Sequence, residues 1–333
     1  MSGASNAIDA CINVLVPSLL PFIIVSKIVI NTPLPRLAAR RLECVMRPIF
    51  GVSGAGAFPL IIGLLSGYPL GAKVVLDMYK KGSLSYKDAE KLISFCNNSG
   101  PLFIIGAIGV GCFNSVKAGV MVYIAHVISA IVLGIGIRCK CGRGGSCRER
   151  AGVAEGVAKN VANGTIDFGE AILDGVKTMA LICGYVIFFG AIIGVLTPIV
   201  YVLPTSIAGL ISGIIEMTTG IMMLAGKWSC LPLITFLVTF GGISVFMQIK
   251  GIVGNTFSMR VFIVRKLIQG VVAAGVFYLM QMMMPLTSVV SKSIIETPMY
   301  HPRGLLLYAM ILSLCSVAVC LGACGMTQKA NEK

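Results

Sequence analysis

Leu92 to Gly111 reads LISFCNNSGPLFIIGAIGVG, an apolar stretch able to enter a bilayer but interrupted by Asn97, Asn98, Ser99, Gly100 and Pro101. Proline lacks a backbone N–H and its ring collides with the preceding turn, so a helix starting near Asp88 is expected to break here. In hydrocarbon, each freed N–H or C=O costs several kcal/mol unless it lines a cavity or meets other protein. Many secondary transporters build a solute site from such a break, and here it carries two carboxamides and a hydroxyl.

The rest of the chain agrees with a membrane setting. Its 333 residues are 56% hydrophobic and only 12% charged, with a mean hydropathy of +0.92. Several runs approach the roughly 18–20 apolar residues that cross a bilayer, and none shows the period-two alternation of a β-barrel. The expected class is therefore all-α, a polytopic helical membrane protein. The net charge of +14 sits in loops between apolar runs, where it reads as a topology signal and a contact to anionic membrane lipid, not as a nucleic-acid surface. Most of the 12 cysteines lie inside apolar runs (Cys96, Cys112, Cys183, Cys315, Cys320, Cys324) and behave as small hydrophobes. Cys139, Cys141 and Cys147 offer three thiolates and no evident fourth ligand, so no metal is assigned. Met1 to Asn6 lacks the basic region of a cleavable signal peptide, and none is expected.

Loop charges divide the chain into four parts. Residues 1–138 form a first membrane repeat. It opens with a span from Ala10 to Ile30, kinked by Pro17 and Pro21. A cytoplasmic, surface-lying basic helix follows, carrying Arg36, Arg40, Arg41 and Arg47. Residues 51–79 form a re-entrant hairpin turning at SGYPLG (Ser66 to Gly71), because Lys80, Lys81, Lys87 and Lys91 return the chain to the cytoplasmic side. A broken helix, 88–111, crosses outward past Lys117, and Val120 to Ile137 crosses back. Residues 139–168 are a cytoplasmic basic linker. Residues 169–284 form a second, inverted repeat: a span from Ala171 to Val200, a hairpin at 205–226, a broken helix at 231–253, and a span from Leu267 to Met284, with Arg260, Arg265 and Lys266 marking the cytoplasmic exit. Residues 285–333 supply an outer loop, a final span from Gly304 to Gly325 and a tail.

Internal similarity supports two halves. Phe95, Ser99, Gly106 and Gly109 recur as Phe240, Ser244, Gly251 and Gly254, each pair 145 positions apart, and Ser66-Gly67 has a counterpart in Ser212-Gly213. Opposite topology around paired broken helices is the architecture of alternating-access carriers.

The candidate solute-binding residues are those at the breaks. They are Ser66, Gly67, Tyr68 and Lys73 in the first hairpin, and Asn97, Asn98, Ser99 and Gly100 in the first broken helix. Glu216, Thr218 and Thr219 add to them from the second hairpin, and Ser244 and Gln248 from the second broken helix. Carboxamides and hydroxyls donate to carboxylate or carbonyl oxygens, and half-helix N-termini favour anions. Glu216, an acid at membrane depth, suggests proton or sodium coupling or a buried ion pair. Two plainer roles stand beside these: the polar groups could satisfy the broken backbone, and Lys73 and Lys250 could snorkel to an interface. His126 reads as a packing and hydrogen-bonding residue. No enzyme constellation is present. GVSGAG (Gly51 to Gly56) lacks the Lys-Ser/Thr of a phosphate loop, and GAIGVG (Gly106 to Gly111) reads as close helix packing by small residues.

PSLLPFIIVS (Pro17 to Ser26), SGYPLGAK (Ser66 to Lys73) and DAEKLISFCNNSGPLFIIGAIGVG (Asp88 to Gly111) together resemble the sporulation integral membrane proteins of the YlbJ (SpoVV) type. That family belongs to the nucleoside-recognition, or Gate-domain, membrane proteins. The resemblance runs from about Ala7 to Leu321. It implies a fold related to concentrative nucleoside transporters and a role in endospore formation, moving dipicolinic acid from the mother cell across the outer forespore membrane. It places the site at Ser66 to Lys73, Asn97 to Pro101, Glu216 to Thr219 and Phe240 to Ser244. The family usually carries a further hydrophobic segment before the position of Ala7. The first expectation is thus a secondary transporter of a small anionic metabolite, with no cofactor beyond a coupling proton or sodium ion. A nucleoside transporter and a non-transporting scaffold in spore assembly are the alternatives, and homo-oligomerisation is left open.

Overall fold

The computed structural model describes residues 2–140, 168–200, 202–284 and 286. α1 (Ser2–Ala10) passes through a wide π-type turn (Cys11–Leu15) into α2 (Val16–Ile30). The turn immediately precedes Pro17, whose missing N–H leaves the carbonyl four residues back without its helical partner. α2's apolar part, Leu19–Ile30, is shorter than the span expected from Ala10 onward. α3 (Leu34–Phe50) stops at Gly51, whose positive φ of 63° suits glycine. The chain then turns by 92° between Ala39–Phe50 and Gly54–Ser66.

α4 (Ala57–Ser66) and α5 (Leu70–Lys80) form a helical hairpin, each leg about 15 Å long, or half a hydrocarbon core. α6 (Tyr86–Phe95) starts at Ser85, whose Oγ accepts the Asp88 N–H at 3.1 Å. Residues 96–100 are not helical, and the chain resumes as a π-type helix, Leu102–Cys112. α7 (Val116–Lys140) and α8 (Phe168–Val200) are long. A second hairpin, α9 (Thr205–Ile215) and α10 (Met217–Met223), is joined by Glu216 alone. α11 (Leu231–Phe240) and α12 (Gly242–Val253) meet at Gly241, with φ 92°, and α13 (Met259–Met283) follows. The linker with its cysteine cluster, the outer loop and the final span fall wholly or mostly outside the described residues.

The distribution of polarity explains why these helices need lipid. On α7, Val116, Val120, Ile124, Ile128, Ile131 and Ile135 recur every three or four residues, and all are exposed. His126 and Ser129 on the same helix are buried. On α13 the pattern repeats: Val264, Leu267, Ile268 and Val271 face outward, while Lys266 and Gln269 are completely buried. A helix in water hides its apolar stripe. These helices show it and hide their polar groups, as a bilayer demands.

Val116–Arg138, Phe168–Val200, Trp228–Val253 and Met259–Met283 are long and apolar enough to cross, and the bent pair at 39–66 would add a fifth.

Candidate solute site at the helix break

The first hairpin is clamped onto the first break through glycine. A Cβ on Gly63 would lie 1.6 Å from the Cys96 carbonyl oxygen, and one on Gly71 would lie 2.2 Å from the same atom. Both hairpin legs therefore close on one carbonyl at the end of α6. At the tip, Gly67 has φ 91° and a Cβ there would sit 2.9 Å from the Gly100 nitrogen. The Tyr68 hydroxyl continues past the break to donate to the Thr239 carbonyl on α11 at 2.8 Å.

Most polar groups at the break serve the interrupted backbone. Asn98 Nδ2 donates to the Phe95 carbonyl at 2.7 Å, and Ser99 Oγ donates to the Val238 carbonyl at 3.2 Å. The Ser99 N–H donates to His126 Nε2 at 3.1 Å. An acceptor at Nε2 fixes the neutral tautomer with its proton on Nδ1, which lies 2.8 Å from Thr239 Oγ1. His126 thus ties the break to α7 and α11, as its sequence reading had it. Asn98 Oδ1 accepts from Gln269 Nε2 at 3.0 Å.

Asn97 is different. Its side chain is 0% exposed, and neither Oδ1 nor Nδ2 has a hydrogen-bond partner among the described residues. Buried polar atoms are satisfied in the great majority of cases, so an idle carboxamide at a membrane break requires a reason.

Lys266 corrects the sequence reading. Expected to mark the cytoplasmic exit, it is 0% exposed within α13. Its Nζ donates to the Asn97 carbonyl at 3.0 Å and to Gln269 Oε1 at 2.7 Å, and lies 5.1 Å from the centre of the Tyr68 ring. The backbone carbonyl freed at the break is what holds it inward. The neighbouring Arg265 donates to the Glu90 carbonyl at 3.2 Å and to Ser94 Oγ at 3.1 Å, braced against α6.

Lys73, expected to answer an anionic solute or snorkel, is buried and paired with two acids of the chain. Its ammonium lies 3.2 Å from Asp77 and 2.8 Å from Asp174 of α8, and Asp174 also meets Lys27 of α2 at 3.3 Å. The cluster fastens the first hairpin to two other helices. Beside it, burial and the charge of Lys27 hold the Lys81 amine below the ordinary lysine value. Asp174→Asn is expected to lower the melting temperature of the detergent-solubilised protein, equivalent to about 1–3 kcal/mol. An unchanged melting temperature would show that the cluster contributes no stability.

In the second hairpin, Glu216 caps α10: Oε1 accepts the Thr218 N–H at 3.0 Å, and Oε2 accepts the Thr219 N–H at 2.7 Å and the Thr219 hydroxyl at 2.8 Å. The three residues satisfy one another. Gln248 Nε2 reaches Ser244 Oγ at 3.4 Å, both buried. Lys250 pairs with Asn255 at 2.7 Å on an exposed surface, so it does not reach Glu216 or the first break. Phe95 and Phe240, paired in the repeat pattern, each close the half-helix before a break. Ser66 ends its helix, whereas Ser212 stands three residues before the end of α9, so this pairing is out of step.

The structure thus joins Tyr68, Asn97 to Gly100, Lys266 and Gln269 in one polar core. Lys266, Gln269, Asp77 and Asp174 were not among the sequence candidates. One signal was available: helical spacing sets Lys266, Gln269 and Ala273 on the face opposite Val264, Ile268 and Val271.

Apolar outer faces, with polar and charged groups hidden inside among apolar ones, define a multi-pass integral membrane protein of the all-α class. Among known proteins, the chain is similar to the sporulation integral membrane protein YlbJ of Bacillus subtilis (strain 168). The two are 31% identical over 297 residues, covering 78% of this chain and 72% of the relative. The chain belongs to the family of that sporulation integral membrane protein. No family model matches it, and no solved structure matches it.

Proposed function

We propose that the chain is a secondary transporter that moves a small anionic metabolite across a membrane in endospore formation. The relative's name carries the link to sporulation. The family resemblance supplies dipicolinic acid as the solute and the outer forespore membrane as the place. One observation carries the transport reading: the buried Asn97 carboxamide, with neither polar atom partnered among the described residues, at a helix break clasped by a re-entrant hairpin. A carrier presents such a group to its solute. Two hairpins and two interrupted helices ending at Phe95 and Phe240 support inverted repeats like those of concentrative nucleoside transporters. In this reading they move as a unit against the flanking helices, coupled to a proton or a sodium ion.

The test is uptake of labelled dipicolinate and uridine into proteoliposomes. The parent should take up dipicolinate, and Asn97→Ala should lose it by about 10-fold or more. Glu216→Gln, which preserves a cap oxygen, should retain most of the rate. Uridine uptake instead would point to a nucleoside carrier, and uptake of neither solute would leave a scaffold.

A further inference from the structure

Among the described residues two lysines are buried, and they are treated in opposite ways. Lys73 lies against Asp77 and Asp174. Lys266, the more deeply buried, has no carboxylate of a described residue within ion-pair distance; its contacts are a backbone carbonyl, a glutamine oxygen and the face of a tyrosine. The interior acids are already committed, Asp77 and Asp174 to lysines and Glu216 to its own helix. An amine at membrane depth with no counter-charge is expensive to keep and marks function by default.

We propose that Lys266 is the anion-recognition group of the site: its amine and the Asn97 carboxamide together bind a carboxylate of the solute. The placement supports this directly. Lys266 Nζ is bonded to the backbone oxygen of the very residue whose side chain is idle, so cation and carboxamide are held within one residue of each other. Protonated against a solute carboxylate, the amine has three N–H donors, of which Asn97 O and Gln269 Oε1 take two. Gln269 is itself fixed, its Nε2 held by Asn98 Oδ1. The amine is therefore aimed by a relay that begins at the break, with one donor left for a ligand oxygen. Tyr68, over which the amine sits, belongs to the hairpin tip, so a bound carboxylate would draw hairpin, break and α13 together.

This inference rests on the carrier reading and names the charge its solute must carry. It is tested by binding to the purified full chain in nanodiscs, using dipicolinate and its uncharged isostere, pyridine-2,6-dicarboxamide. The parent should prefer dipicolinate by about 10- to 100-fold. Lys266→Met should bring the two affinities together, and Lys266→Arg should restore part of the preference. Lys266→Met leaves the Asn97 carbonyl and Gln269 Oε1 without their donor, so it should melt earlier than the parent while remaining folded. If the parent prefers dipicolinate and Lys266→Met keeps that preference, Lys266 is not the counter-charge, though the carrier stands. If the parent binds neither compound, the proposed solute fails instead. Failure of both Lys266→Met and Lys266→Gln to fold would make Lys266 a structural residue and overturn the proposal.

Discussion

Gly63→Ala and Gly71→Ala should each prevent assembly of the first hairpin on the broken helix, seen as loss of monodisperse protein after detergent extraction. The new methyl carbon would stand 1.6 Å from the Cys96 carbonyl oxygen at position 63 and 2.2 Å at position 71, inside any non-bonded contact. The obstacle is backbone, not a side chain that can rotate away. The carbonyl cannot retreat from one glycine without meeting the other leg or disturbing Gly67 against Gly100. Overpacking a core usually costs about 1–3 kcal/mol. A backbone collision held from two sides should exceed that range. Gly184→Ala is the control: its methyl would meet nothing within 4 Å, and replacing a mid-helix glycine by alanine should be neutral or slightly stabilising. Normal yield and melting temperature for Gly63→Ala would show that hairpin and break do not pack as described.

Asn97→Ala and Asn98→Ala, neighbours of the same chemistry, should fail in opposite ways. Asn98 spends both ends of its carboxamide on structure, donating to the Phe95 carbonyl and accepting from Gln269. Its removal takes the side-chain donor from the Phe95 carbonyl and leaves Gln269 Nε2 only the Ser129 hydroxyl at 3.5 Å, at about 1–3 kcal/mol for a buried group that loses its partner, so Asn98→Ala should melt earlier than the parent. Asn97 spends neither end. Removing an unpaired buried amide relieves a desolvation cost, so Asn97→Ala should melt at or above the parent temperature while losing uptake. Equal destabilisation by the two substitutions would mean that Asn97 braces the break as Asn98 does.

The break itself was legible because proline chemistry and hydrocarbon burial are local rules. The same holds for the hairpin turn at Gly67 to Pro69 and for the interruptions at Glu216 and Gly241. Division of labour among the polar residues was not. Asn97, Asn98 and Ser99 are alike in sequence, and only contacts to Phe95, Val238 and Gln269, the last two far along the chain, separate the structural pair from the idle one. Charged residues misled for a related reason. Lys266 follows Arg260 and Arg265 closely enough to look like one loop signal, yet its direction is set by the Asn97 carbonyl on a distant segment. Lys73 looked available for a solute because its partner Asp174 lies across the linker. A helix over the arginine-rich stretch was readable in the sequence, while the short apolar reach of α2 reflects local helix geometry that hydropathy does not register.

A solute gripped at the broken helix can be located by solid-state NMR of the protein in liposomes, with side-chain nitrogen-15 in asparagine and carboxyl carbon-13 in dipicolinate. Magnetisation should pass between the solute carboxylate and an asparagine side-chain nitrogen, and the transfer should vanish in Asn97→Ala. Immobilised dipicolinate with no such transfer, or with transfer that survives Asn97→Ala, would contradict a site at the break.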